Sequence, residues 1–399
     1  MRNLCQKLEW AYVLIWILFI LGSIPFGRFL QRQVETNLGR NAFIVFISAC
    51  LCSAVLYASY YIYRESTTLK ISLLRFVWLA GISVVFGFWL FNLKDTPEVA
   101  LHFLEYGILA ALVYRAILRS TPSPWSYIIS LLICSIVGTF DQIIKWLTPQ
   151  RVFDYYDIFI NSGSAFLVLL AIAFVICPNS NNNLFERRHL SLFKNCASSQ
   201  ILLLALCLSN TPYIMEQYLS YFPSLRYVEK KENLMAEYGF KHKDPEIGIF
   251  YSRFTIKQLK DLDLARGESA AHILAMYPGN ETYGQFIQKY SPFTDPFLHE
   301  FRVHLFRRDE YLRKISLNGV RPNNCSVVWH ENLILEKYFG NTLRFSNNVL
   351  KDKDRELVKT CSGTKEVYIS PVSSDLITSF SPLTLWLFAL ALLILLFFI

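Results

Sequence analysis

The sequence predicts an all-α polytopic bundle of membrane helices, about seven spans, then an α+β soluble domain and a C-terminal transmembrane helix. Three observations predict this. The 399 residues are 53% hydrophobic and only 18% charged, whereas an ordinary soluble domain is about a quarter charged. The apolar residues fall in blocks close to the roughly 20 residues that cross the hydrocarbon at 1.5 Å rise each. Residues 216–379 break that pattern, with 23 Lys/Arg, 21 Asp/Glu and no long apolar run.

The spans read in order as Glu9–Gly27, Ala42–Tyr63, Ile71–Asn92, Val99–Leu118, Trp125–Leu147 and Asp157–Cys177. These six make a bundle over residues 1–178. A linker and a seventh span occupy 179–215, with the apolar centre "ILLLALCL" inside Leu192–Met215. No A-x-A-like site follows the first block, so it reads as a retained helix rather than a cleaved signal. The last block, "FSPLTLWLFALALLILLFFI", fills residues 380–399.

Basic loop residues orient the bundle. On the N-terminal side stand Arg2, Lys7, Arg64, Lys70, Arg75, Arg115, Arg119, Arg187, Arg188 and Lys194. Opposite them stand Arg28, Arg32, Arg40, Lys94, Lys145 and Arg151. The excess on the N-terminal side places that side in the cytoplasm. Seven spans then put 216–379 outside the cytoplasm of a bacterial inner membrane. Cys325 and Cys361 are alone in that segment. They would form one disulfide in an oxidising compartment or stay as two free thiols. No basic cluster with interleaved aromatics points to nucleic acid.

Within the soluble segment "EIGIFYSRFT" reads as a strand. "TIKQLKDLD" starts a helix with Thr255 as cap, and "GESAAHILAMY" reads as another. "CSVVWHENLILEKYFG" mixes the two patterns, and "EVYISPVS" reads as a strand before the last span. His272, His299, His304 and His330 are scattered. His299 and His304 lie five apart, which does not share a helix face, so they read as ordinary core or surface histidines and no metal site is assigned.

Polar residues gather at one depth. His102, Glu105 and Tyr106 share a helix face by i, i+3, i+4 spacing. Asp141 and Gln142 come near the outer end of the fifth span, and Asp157 and Asn161 in the first turns of the sixth. "TPQR", with Pro149 and Arg151, joins those two spans. An ionisable group in hydrocarbon costs on the order of 2.5–3.5 kcal/mol, so it usually faces a partner or a watery cavity. A polar pocket at the outer face is one reading. Helix–helix glue and snorkelling near span ends are the other.

These residues resemble the VanZ-like membrane proteins, named for a determinant of glycopeptide (teicoplanin) resistance. The resemblance rests on "HFLEY", on Asp141 in "FDQIIK", on Pro149 and Arg151 in "TPQR", and on Asp157, Asn161 and Gly163 in "DIFINSG". It covers about residues 10–177. Gln142 stands where the family usually has Glu and Lys145 where it usually has Gln, which removes one carboxylate and adds a cation able to pair with Asp141. The resemblance implies a bacterial cytoplasmic-membrane protein acting on the cell envelope, and names no cofactor.

The expected site has His102, Glu105, Asp141 and Asp157 as acid/base or orienting groups. Tyr106, Gln142, Arg151 and Asn161 would hold the substrate. The expected partners are membrane lipids, with a lipid-linked envelope precursor as the specific candidate. His102 beside Glu105 suits proton transfer, and Arg151 suits a phosphate or carboxylate. No clear nucleophile accompanies them. A receptor or scaffold working through residues 216–379 is the alternative. A proton-coupled or small-solute transporter is the second, though inner halves such as "FLVLLAIAFVI" are apolar.

Overall fold

The computed structural model describes every residue except 1, 40, 66–68, 94–96, 121–123, 150, 177–186, 364–366 and 399. Arg40, Lys94 and Cys177, used above for orientation and span limits, fall outside the described residues. So do the side chains of Arg2, Lys70, Arg187 and Arg188. The chain divides into two units, Met1–Ala205 with Ala389–Ile399, and Leu206–Phe388.

The first unit is a helical bundle. Its helices are α1 (Arg2–Ser23), α2 (Gly27–Leu38), α3 (Ala42–Glu65), α4 (Leu69–Asn92), α5 (Leu101–Ser120), α6 (Trp125–Trp146) and α7 (Tyr155–Ala171), followed by α8 (Arg187–Ser209). Among the described residues, seven helices are long and apolar enough to cross a membrane. Large apolar side chains such as Leu14, Ile15, Leu74, Val84, Phe88 and Phe91 face outward. In water they would be an aggregation surface, and in a bilayer they face their preferred solvent. This is a multi-pass membrane protein.

Small residues bring the central helices close. Ala110 and Ala116 on α5 and Ala165 on α7 have no exposed surface, as expected where lipid gives no hydrophobic drive and packing decides. Gly163 has a steric reason, since a Cβ there would run into the Trp89 ring.

The first span is longer than its apolar block predicts. Pro25 has no N–H to continue the ladder, so a 3-10 turn at Ile24–Phe26 joins α1 to α2, and the helical run extends to Leu38. The seventh helix is shorter than Leu192–Met215. It stops at Ser209, because Thr211 precedes Pro212 and is extended (ψ 166°), as a pre-proline residue prefers. Pro212 then starts α9 (Pro212–Tyr221).

Polar contacts change how basic residues are read. Arg75 is not a loop charge. It is buried within α4 and donates from Nε to the Val175 carbonyl at 2.6 Å, in the π-helical turn Ile172–Ile176 that follows α7. Arg115 and Arg119 hold the buried Glu9 carboxylate at 2.9 and 3.1 Å, tying α1 to the far end of α5.

The second unit is mainly helical. Its strands are one antiparallel hairpin, β1 (Phe240–Asp244) and β2 (Gly248–Ser252), in register Phe240 to Ser252. The helices are α10 (Ile256–Ala275), α11 (Tyr283–Lys289), α12 (Pro296–Asn318), α13 (Pro322–Tyr338), α14 (Gly340–Phe345) and α15 (Asp352–Cys361). Phe250, Leu259, Phe297, Phe301, Leu335 and Phe339 form its core.

The α+β expectation therefore shrinks to one hairpin. "CSVVWHENLILEKYFG" is helix α13 up to Tyr338, because Cys325, Val328, Asn332 and Leu335 recur at helical spacing and are all buried. The two helices read at 255–277 are one, α10, opened by a Thr255–Gln258 capping box. Among its described residues, 367–373, "EVYISPVS" contributes a bridge from Ile369 to Ile249 and no strand. Cys325 and Cys361 are disulfide-bonded, with Cα atoms 5.7 Å apart. The C-terminal helix α16 (Pro382–Phe398) has 17 residues.

His299 is 5% exposed, with Nδ1 3.0 Å from the Tyr290 carbonyl. Burial first, and then Arg253, lower its pKa from 6.5 to about 4. The folded state resists a proton that the unfolded chain accepts, so its stability falls as pH drops from 6.5 toward 4. The expected loss is roughly 3 kcal/mol. Protease resistance of α12 in the full chain, followed by urea titration across that pH range, should show this slope, and His299→Gln should flatten it.

Candidate functional site

The polar residues meet at the start of α5, the end of α6 and the start of α7. Asp154 builds the last of these. Its carboxylate caps α7 by accepting from the Tyr156 N–H at 2.7 Å, as an Asp before a helix does. Asp157 then sits in the first turn, opposite the last turn of α6.

Lys145 is the hub. Its Nζ lies 3.0 Å from Asp141 Oδ2, 3.0 Å from Asp157 Oδ2 and 3.3 Å from His102 Nε2. The first contact is the i, i+4 pairing of one helix face, and the second joins α6 to α7. Lys145 is 3% exposed and Asp141 1%. Gln142 reinforces the hub, donating from Nε2 to Asp141 Oδ2 at 2.9 Å and to Asp157 Oδ2 at 3.2 Å. Its Oε1 accepts from the Asp154 N–H at 3.2 Å. The two positions that depart from the family pattern thus form one network.

His102 connects the hub to Glu105, whose Oε2 is 3.2 Å from His102 Nδ1. That approach is not aligned as a hydrogen bond. Trp16 donates from its indole to the Glu105 carbonyl at 2.9 Å, fixing α1 against α5.

A cavity of about 510 Å³ opens on this cluster. His102, Glu105, Asp141, Lys145, Arg151, Asp154, Asp157 and Arg28 line it, together with Trp16, Phe19, Ile20, Ile24 and Phe43. The Arg151 guanidinium packs over Gly27, where a Cβ would meet Nη1 at 3.4 Å, and so lies next to Arg28 in the chain. Burial holds the Asp154 carboxyl above its usual range. It also lowers Arg151, with Arg28 adding to that shift.

The cavity gathers five of the eight expected site residues: His102, Glu105, Asp141, Arg151 and Asp157. Tyr106, Gln142 and Asn161 do not line it. Each has no exposed surface. Gln142 braces the carboxylates from behind. The Tyr106 hydroxyl and both amide atoms of Asn161 have no hydrogen-bond partner among the described residues.

Lys145 and Arg28 were missed as site residues in the sequence. Lys145 had a signal, the i, i+4 spacing from Asp141. Arg28 read as a loop charge, because nothing local shows that the helical run continues past Gly27 and that α2 borders the cavity.

In the second unit Glu331 is the comparable buried centre. It has no exposed surface and accepts from Tyr368 at 2.5 Å, from Ser370 at 2.8 Å and from His304 Nδ1 at 2.6 Å. Burial pushes its pKa up, and His304 with the two hydroxyls more than offsets that, leaving it below the usual range. Comparison of the chain with protein-family models, with curated proteins and with solved structures found no match in any of the three.

Proposed function

We propose that this chain is a VanZ-like protein of the bacterial cytoplasmic membrane whose cavity binds the anionic head group of an envelope lipid. The observation that carries the reading is the mixed lining of one cavity. Arg28, Arg151 and the carboxylate–histidine cluster share it with aromatic and aliphatic side chains. An amphiphile satisfies both kinds of lining. Guanidinium forks suit phosphate or carboxylate oxygens, while His102 and Glu105 suit hydroxyl and amine groups of a head group.

Binding is supported better than turnover. Lys145 already neutralises Asp141 and Asp157, which leaves His102 and Glu105 as the groups for proton exchange, and the Ser23 hydroxyl that also lines the cavity donates back to the Ile20 carbonyl at 2.8 Å. The excess of basic residues on the N-terminal side and the Cys325–Cys361 bridge both favour an extracytoplasmic place for 216–379. The motif resemblance links the site to glycopeptide resistance.

The test is mass spectrometry of lipids that co-purify with the full-length protein, its Arg151→Gln variant and its Glu105→Gln variant. The expected result is a phosphorylated or carboxylated lipid on the wild type. Its level should fall about tenfold or more in Arg151→Gln, as loss of a charge-assisted hydrogen bond predicts. Identical bulk lipid on all three proteins would overturn the reading and favour a scaffold.

A further inference from the structure

The bundle holds a second cavity, of about 360 Å³, between α3, α4, α5 and α7. Small side chains leave this space: Ala54 and Ala58 on α3, Gly107 and Ala111 on α5, and Ala171 on α7. Its lining is almost wholly apolar. Among the described residues, Leu104 is the one that lines both cavities.

The two spaces follow each other along the same helix faces. On α3, Phe43 borders the polar cavity, and Ile47, Leu51, Ala54 and Ala58 border the apolar one. On α5, Leu101 and Leu104 border the first, and Leu104, Ile108 and Ala111 the second. These positions recur at helical spacing, so each helix offers one continuous wall. From Phe43 to Ala58 that wall rises about 22 Å. Charged groups at one end of these walls and apolar side chains along the rest match an amphiphile in polarity.

We propose that one long-chain phosphorylated lipid fills both cavities, its phosphate at Arg28 and Arg151 and its chain running past Leu104 between α3 and α5. The proposal rests on the head-group reading above and adds the chain subsite. Two guanidiniums beside each other at the polar end match a phosphate, which offers more acceptor oxygens than a carboxylate. Beyond Leu104 the slot is lined by apolar side chains of α3, α4, α5 and α7, which suits a hydrocarbon chain. A water-soluble phosphate would leave that slot unfilled. The tail of a bulk phospholipid would fill it without needing the arginines.

The probe is a dodecyl phosphate with a diazirine at its chain end. It is photolysed with full-length protein in non-ionic detergent, and the label is mapped by mass spectrometry. The label is expected within residues 47–58 and 104–111. It should drop about tenfold in Ala111→Trp and in the milder Ala54→Leu, since each displaces buried methylenes. It should also drop in Arg28→Gln with Arg151→Gln.

Butyl phosphate, read by 31P line broadening, reports the head-group site alone. It should still bind Ala111→Trp and fail to bind the double arginine variant. Label spread over the outer surfaces of the spans, with arginine-dependent butyl phosphate binding intact, would overturn the chain subsite and leave the head-group reading standing. Groove label indifferent to both arginines would show an ordinary lipid tail and overturn the proposal. Butyl phosphate binding indifferent to the arginines would remove the head-group reading itself.

Discussion

Lys145→Ala is expected to be the most damaging single substitution in the membrane unit. The ammonium is the shared counter-charge of Asp141 and Asp157, at 3.0 Å from each. Removing it leaves the buried Asp141 and the half-buried Asp157 carboxylates with Gln142 as their remaining donor from α6. Breaking a buried pair by deleting one partner costs about 3–5 kcal/mol, because the other charge stays desolvated. Thermal unfolding in detergent, read by loss of monodisperse protein, should show the drop. A triple variant, Lys145→Met with Asp141→Asn and Asp157→Asn, should recover most of the stability, since it removes the charges together. A Lys145→Ala protein that melts with the wild type would show that water already screens the cluster.

Glu331→Ala is the corresponding change in the second unit. Three donors converge on this carboxylate, Tyr368, Ser370 and His304, and Arg307 stands at 3.6 Å. Each donor left without an acceptor costs about 1–3 kcal/mol, so the expected loss for three is at least about 3 kcal/mol. The effect should be local first. Tyr368 and Ser370 belong to the segment that β2 holds through Ile249, whose N–H donates to the Tyr368 carbonyl at 2.9 Å. Hydrogen exchange of residues 367–377 and 248–252 should speed up before that of α10. Glu331→Gln keeps an acceptor and should lose less. Equal exchange in wild type and Glu331→Ala would contradict the network.

The membrane bundle was legible because apolar length reports a span directly. The depth of the polar site was legible because three spans fix three heights. Its pairings were not. His102, Lys145 and Asp157 come from three helices, and their contacts depend on rotation about each helix axis, which hydropathy does not set. Arg28 was hidden for a related reason: the helical run continues through the 3-10 turn at Ile24–Phe26 to Leu38, and the face that α2 presents to the cavity depends on that turn. In the second unit, β-branched Val327 and Val328 suggested strand, and packing against α12 overrode that local preference. The seventh span was overextended because "TPYIM" is apolar enough to continue a hydropathy run, while Pro212 ends the helix by geometry.

The wall that α2 supplies has a consequence for rates. No residue of α2 is buried, and Arg28, Leu30 and Gln31 border the cavity. The other walls belong to helices whose side chains are locked into the bundle. Swinging α2 outward about the Ile24–Phe26 turn therefore breaks little packing, whereas parting α5 from α7 would break the core. A segment that buries little apolar surface opens at a small fraction of the global unfolding free energy. Exchange of the proposed head group would then be governed by the hinge at Pro25, and its residence time would be tunable from a residue outside the charged cluster.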